Sequence, residues 1–194
     1  GSILDIMDMQ FEEIYTYTTQ VGLVDKVTPG ELREVTQALE GSDLTEDYLV
    51  CRSESTTAET DAYTVDGTLQ VFSSQEAMAP FIQLRHRTND TPVILPDDGV
   101  VLTEKLASLL DIQPGDTITL DGDTRVEVRV ADVTEHYIQH YVYMTDAYYQ
   151  SVFGTEPEQN LVLADYPVDV PETEDLEREL VRLDGVTSLT RVED

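Results

Sequence analysis

Residues 100–120, VVLTEKLASLLDIQPGDTITL, decide how the middle of this chain folds. The run Val100-Val101-Leu102 follows Asp98-Gly99 and reads as a short buried strand. Thr103 stands where an N-cap is expected, and Glu104 then lies at the positive end of a helix dipole. Leu106, Leu109 and Leu110 recur at helical spacing and predict one buried helix face. Gln113-Pro114-Gly115-Asp116 stops the helix, with proline fixing φ and glycine at the position of a type II turn that needs φ > 0. Thr117-Ile118-Thr119-Leu120 alternates polar and apolar residues, as a half-buried strand does. No side chain in this unit has obvious reactive chemistry.

Outward from it, Asp121-Gly122-Asp123 predicts a hairpin. Beyond the turn, Val126, Val128 and Val130 face inward, and Arg125, Glu127 and Arg129 face water. Upstream, Asp66-Gly67 between Ala62–Val65 and Thr68–Phe72 reads as another hairpin turn. Gln75–Met78 reads as a helical turn, and Phe81–His86 and Pro92–Leu95 as short strands. The middle of the chain is therefore expected to be a mainly β lobe, barrel-like or sandwich-like.

The flanks read differently. Ile3, Ile6, Met7, Phe11 and Ile14 predict an amphipathic helix, and Tyr15–Val24 a strand. Thr28-Pro29-Gly30-Glu31 has the form of a capping box with proline at the first helical position. Leu32, Val35 and Leu39 follow on one face, Gly41 ends the helix, and Tyr48–Arg52 is the next strand. A second β-α-β unit comprises a strand at 160–164, a helix opened by Pro171 with inner face Leu176, Leu180 and Leu183, a stop at Gly185 and a strand at 186–192. Two such units predict an α+β, ferredoxin-like (porter-like) lobe over residues 1–59 and 155–194. The β-rich lobe, residues 60–154, is inserted into it.

The charge of −29, from 40 acidic and 11 basic residues, excludes a nucleic-acid partner, since such binding rests on Lys and Arg neutralising phosphates. It equally disfavours adhesion to anionic lipid. A solvated acidic surface accounts for the charge, and with only Lys26 and Lys105 as lysines a high-salt origin would also account for it. The single cysteine, Cys51, lies in the apolar run Tyr48-Leu49-Val50-Cys51 and is expected to be buried. No apolar run approaches the ~18 residues of a membrane span. Gly1-Ser2 has the form of a tag remnant, so the chain is expected to come from a longer protein.

Chemistry is sparse. His136 and His140 are four residues apart, a helical metal spacing. Their surroundings, however, are rich in Val and Tyr and read as β, where the two would stand about 13–14 Å apart. No third ligand is identifiable, so no metal site is assigned; no catalytic residue and no cofactor site is assigned either. His86, between Arg85 and Arg87, is expected to pair with nearby acids together with them. Asp121 and Asp123 have part of a calcium-loop spacing, and Asp97-Asp98-Gly99 reads as a turn. No P-loop, dinucleotide fingerprint or G-x-S-x-G is present. Tyr137, Tyr141, Tyr143, Tyr148 and Tyr149 crowd one region of a chain without tryptophan. Strand and core packing is the first expectation for them; Tyr137, Tyr141, Tyr143 and Tyr149 are also candidates for a partner surface.

Val100, Val101, Thr103, Glu104, Leu106, Ala107, Leu110, Ile112, Gly115, Asp116, Ile118 and Leu120, then Tyr141-Val142-Tyr143-Met144-Thr145 and a short helix ending in Phe153-Gly154, occur in an order that resembles the MacB-like periplasmic core domains of FtsX/MacB-like ABC transporter permeases. The resemblance covers about residues 93–165 best. It implies a non-enzymatic domain on the extracytoplasmic side of the cell membrane, a membrane-embedded parent protein, and a porter-like lobe interrupted by a second lobe. Its partners would be an ABC ATPase subunit, reached through the rest of the permease, and a second permease copy or an extracytoplasmic protein. The domain would couple ATP-driven membrane-helix motion to substrate handling or signalling, and Ile3–Ile14 would continue the first membrane helix. Two other classes stand beside it: a secreted or surface module binding cationic ligands through its acidic face, and a small-barrel enzyme sharing the Gly-Asp turn.

Overall fold

The structure, a computed structural model, describes residues 14–136 and 138–192. In chain order its elements are β1 (Thr19–Leu23), α1 (Pro29–Glu40), β2 (Asp47–Glu59), β3 (Thr64–Phe72), α2 (Gln75–Met78), β4 (Val100–Thr103), α3 (Glu104–Leu110), β5 (Thr117–Asp121), β6 (Arg125–Thr134), β7 (Tyr141–Thr145), α4 (Asp146–Phe153), β8 (Leu161–Asp165), α5 (Glu172–Arg182) and β9 (Val186–Arg191). This is a mixed α+β chain whose nine strands form a mixed sheet. The helix expected over Ile3–Ile14 lies outside the described residues, apart from Ile14 itself.

Contacts divide the chain into two compact units, with boundaries at Ile14/Tyr15, Cys51/Arg52 and Pro157/Glu158, so that Ile14, whose carbonyl accepts from the Gln83 N–H at 2.8 Å, groups with the β-rich unit and not with the α/β unit as expected. The expected boundaries were 59/60 and 154/155. The shift away from 59/60 comes from β2, a single strand that runs through the Cys51/Arg52 boundary: Asp47–Cys51 pair with β8, and Arg52–Glu59 pair with β3.

In the α/β unit the strand order is β2-β8-β1-β9, every neighbouring pair antiparallel. The helices α1 and α5 share one core with the sheet: Val35 and Leu39 from α1 and Leu176 and Leu180 from α5 cluster with Val21, Val162, Ala164 and Tyr166. The entry to α1 is the capping box read from sequence. Thr28 Oγ1 accepts from the Glu31 N–H at 3.1 Å, and the Glu31 carboxylate accepts from the Thr28 N–H at 2.9 Å. Gly41 caps the other end, donating to Gln37 O, but in right-handed helical geometry (φ −77°) rather than the left-handed form a glycine cap usually adopts.

In the β-rich unit the second half of β2 and β3, β7, β4, β6 and β5 close on themselves, because β2 pairs with both β3 and β5. The result is a six-stranded barrel with parallel pairs β3–β7 and β4–β6. Its interior is filled by side chains, as in small barrels generally: Leu69, Val71, Val100, Leu102, Ile118, Leu120, Val128, Val130, Val142 and Met144 form one cluster with Leu106 and Leu110 of α3 and Tyr148 and Tyr149 of α4.

Four local expectations change. Asp66-Gly67 is not a turn: β3 runs straight through it, and the hairpin turns at residues 60–63, where Thr60 N–H donates to Tyr63 O. Residues 81–86 and 92–95 form no ladder, only an isolated Arg85–Pro92 bridge. Leu109 is 40% exposed; Ala107 takes its place on the buried face of α3. Helix α3 ends at Asp111, which adopts left-handed geometry (φ 55°), before proline is reached.

Candidate functional site

The expected site residues lie in the β-rich unit, around the connection between β6 and β7. Thr103 begins their placement. It occupies the N-cap position of α3 without capping it. Its hydroxyl donates instead to Gln139 O at 2.7 Å and accepts from the Tyr141 N–H at 3.0 Å, which ties the β6–β7 connection to β4.

His136 belongs to that connection, not to a strand as expected, because β6 stops at Thr134 and β7 starts at Tyr141. It is 3% exposed. Its Nδ1 accepts from the Ile138 and Gln139 N–H groups at 3.3 and 3.1 Å. Accepting at Nδ1 requires the lone pair there, so the neutral ring carries its proton on Nε2. Burial pushes its pKa down to about 4, against a smaller upward pull from Glu135. The ring meets Tyr141 edge-on, with centroids 5.9 Å apart. His140 points elsewhere, its Nδ1 donating to Asp66 O at 3.2 Å. The two imidazoles therefore serve separate backbone segments. Among the described residues no three His, Cys, Asp or Glu side chains converge as metal ligands.

The basic triplet pairs with acids as expected. Arg85 Nε lies 2.7 Å from Glu135 and 3.1 Å from Asp90. His86 Nε2 is 2.9 Å from Asp132, and Arg87 bonds Glu104 and approaches Glu135 at 3.3 Å. Thr134 Oγ1 accepts from the Arg85 N–H and donates to Arg85 O. These contacts fasten the 81–95 segment to β6 and α3. An open cavity of about 530 Å³ lies beside them, lined by Arg87, Glu104, Lys105, Ser108 and His136.

The tyrosines mostly go to the interior. Tyr143 is 1% exposed and contacts Phe72, with centroids 6.2 Å apart. Tyr149 is buried and stacks on Phe153 at 4.2 Å. Tyr148 is buried too, and its hydroxyl accepts from the Arg129 N–H at 2.9 Å. Tyr141 is half-buried, and Tyr137 lies outside the described residues. The four candidates for a partner surface thus do not form one exposed patch: Tyr143 and Tyr149 are core residues. Among the described residues the exposed aromatic of this unit is Tyr63, on the rim of a second cavity of about 490 Å³ whose lining includes Glu59, Asp61, Asp111, Asp116 and Glu127. Sequence reasoning passed over Tyr63 because the turn was placed at Asp66-Gly67. Cys51 is buried in the α/β unit, as expected.

No family model matches the sequence, and no curated protein matches it. The fold does have solved counterparts. The extracellular domain of the noncanonic ABC-type transporter YknZ from Gram-positive bacteria superposes with a TM-score of 0.53 at 17% identity, covering 91% of this chain and 98% of that one. The periplasmic region of MacB from Actinobacillus actinomycetemcomitans superposes with a TM-score of 0.52 at 14% identity, covering 94% and 92%. At such identities the likeness is one of fold: this chain is folded like the extracytoplasmic domains of ABC-type transporters.

Proposed function

We propose that this chain is the extracytoplasmic domain of an ABC transporter permease of the FtsX/MacB-like type. In this reading the α/β unit is its ferredoxin-like, porter-like lobe and the barrel is the inserted lobe. The domain lies outside the cell membrane and is not an enzyme. ATP-driven motion of membrane helices reaches it from an ABC ATPase through the rest of the permease, and it passes that motion to a substrate or a signalling partner. A second permease copy or another extracytoplasmic protein would be its contact there.

The observation that carries this reading is coverage: both transporter domains match over nine-tenths or more of either chain. The chemistry agrees, because the histidines and arginines of the β6–β7 region are spent on backbone and ion-pair contacts that hold the barrel together. Topology in the full-length parent tests it. A cysteine placed at exposed Ser188 should react with a membrane-impermeant maleimide on intact cells, and the parent should co-purify with an ABC ATPase. Labelling only after the cells are opened, or a parent frame lacking membrane spans, would end the proposal.

A further inference from the structure

The loop between Arg85 and Pro92 ends in a tight tip. The His86 N–H donates to Thr91 O at 2.8 Å, and the Asp90 N–H donates to His86 O at 3.0 Å. The tip carries Asn89-Asp90-Thr91, an N-x-T triplet with a residue other than proline in the middle. All three residues are exposed and none belongs to a ladder. The other asparagine, Asn160, opens Asn-Leu-Val and forms no such triplet.

The local geometry suits an acceptor. Asn89 Oδ1 accepts from the Thr91 N–H at 3.1 Å, an Asx turn that folds the carboxamide back over the third residue of the triplet. Among the described residues Nδ2 of Asn89 donates to nothing, so the reacting nitrogen is not held. The acidic middle residue would repel a phosphate-bearing donor; Arg85 Nε, 3.1 Å from Asp90 Oδ1, offsets that charge. Asp90 takes left-handed geometry (φ 58°), which aspartate tolerates better than most residues.

We propose that Asn89 is an N-glycosylation site, modified by a transferase that uses a polyprenyl-phosphate- or polyprenyl-diphosphate-linked glycan. The proposal rests on the extracytoplasmic reading above. In the transfer, Nδ2 of Asn89 attacks the anomeric carbon of the first sugar. The C1–Nδ2 bond forms, the C1–O bond to phosphate breaks, a proton leaves Nδ2 for a base of the transferase, and the polyprenyl phosphate or diphosphate departs. No redox change occurs.

The test uses the full-length protein isolated from the membranes of its own organism. Tryptic cleavage after Arg87 and Lys105 releases residues 88–105 as one peptide. Its mass is expected to rise by that of a glycan, with hexose or N-acetylhexosamine fragments in the spectrum. The increment should vanish in Asn89→Gln and Thr91→Ala and persist in Thr91→Ser, with an unchanged melting temperature in all three, since the substituted side chains are exposed. An unmodified peptide from protein that an impermeant label reaches on intact cells would overturn the site alone. Protein labelled only in opened cells would overturn both the site and the reading it rests on.

Discussion

Gly67 and the carbonyl of His140 meet so closely that a Cβ on the glycine would stand 2.9 Å from that oxygen. The contact is a product of parallel pairing: the neighbouring Thr68 N–H donates to the same carbonyl at 2.9 Å where β3 meets β7. Glycine is thus needed here for close approach of two backbones, not for a turn.

Gly67→Ala should therefore destabilise the barrel by about 1–3 kcal/mol, the usual cost of overfilling a packed site. Chemical denaturation of the isolated domain reads this directly. A wild-type midpoint would mean that β7 does not lie against β3 at this register.

Gly115 makes the opposite case. A Cβ there would meet nothing within 4 Å, but φ is +100°. Gly115→Val should cost on the order of 1–2 kcal/mol through backbone strain alone. The turn is also pinned to β6, with Gly115 N–H donating to Val130 O and Val130 N–H to Asp116 O. Loss of amide-exchange protection at Val130 should accompany the drop in melting temperature.

Tyr148→Phe removes the hydroxyl that accepts from the Arg129 N–H on β6. Little volume changes, so the expected loss is about 1–3 kcal/mol, that of leaving a part-buried donor unsatisfied. Thermal unfolding of the variant beside wild type measures it; equal midpoints would show that water replaces the hydroxyl.

His136 predicts a pH dependence. Its folded pKa, about 4, lies below the ordinary 6.5. Between those values the unfolded chain binds a proton that the folded chain does not, so this residue's contribution to stability falls as pH drops from about 6.5 toward 4. Asp146 and Asp165, whose carboxyl pKa values burial raises, act in the opposite direction. Comparing wild type with His136→Gln across this range subtracts them: the difference should shrink on acidification. A His136 ring signal that titrates near 6.5 in the folded protein would contradict the burial.

The elements with local signals were legible in the residues themselves. Thr28-Pro29-Gly30-Glu31 folds as its hydrogen-bonding groups require, and Gln113–Asp116 turns where proline and glycine allow it. The alternation through Val126, Val128 and Val130 faces as written, because a strand's two faces follow from its period alone. The candidate site was less legible. Thr103 has the sequence position of a cap, yet its hydroxyl is claimed by Gln139 and Tyr141, partners 36 and 38 residues away.

The sequence by itself determined the capping box of α1, the turn at Gln113–Asp116, the inward face of β6 and the strand–helix–strand order on either side of a β-rich middle, since caps, turns and periodicity act over a few residues. Only the tertiary structure decided that β2 serves both units, that β3 and β2 close a barrel, that Gly67 is a contact and not a turn, and that His136 is buried and neutral. Each of these depends on which backbone comes to lie beside which, and pairing between distant segments leaves no mark on the local pattern of either.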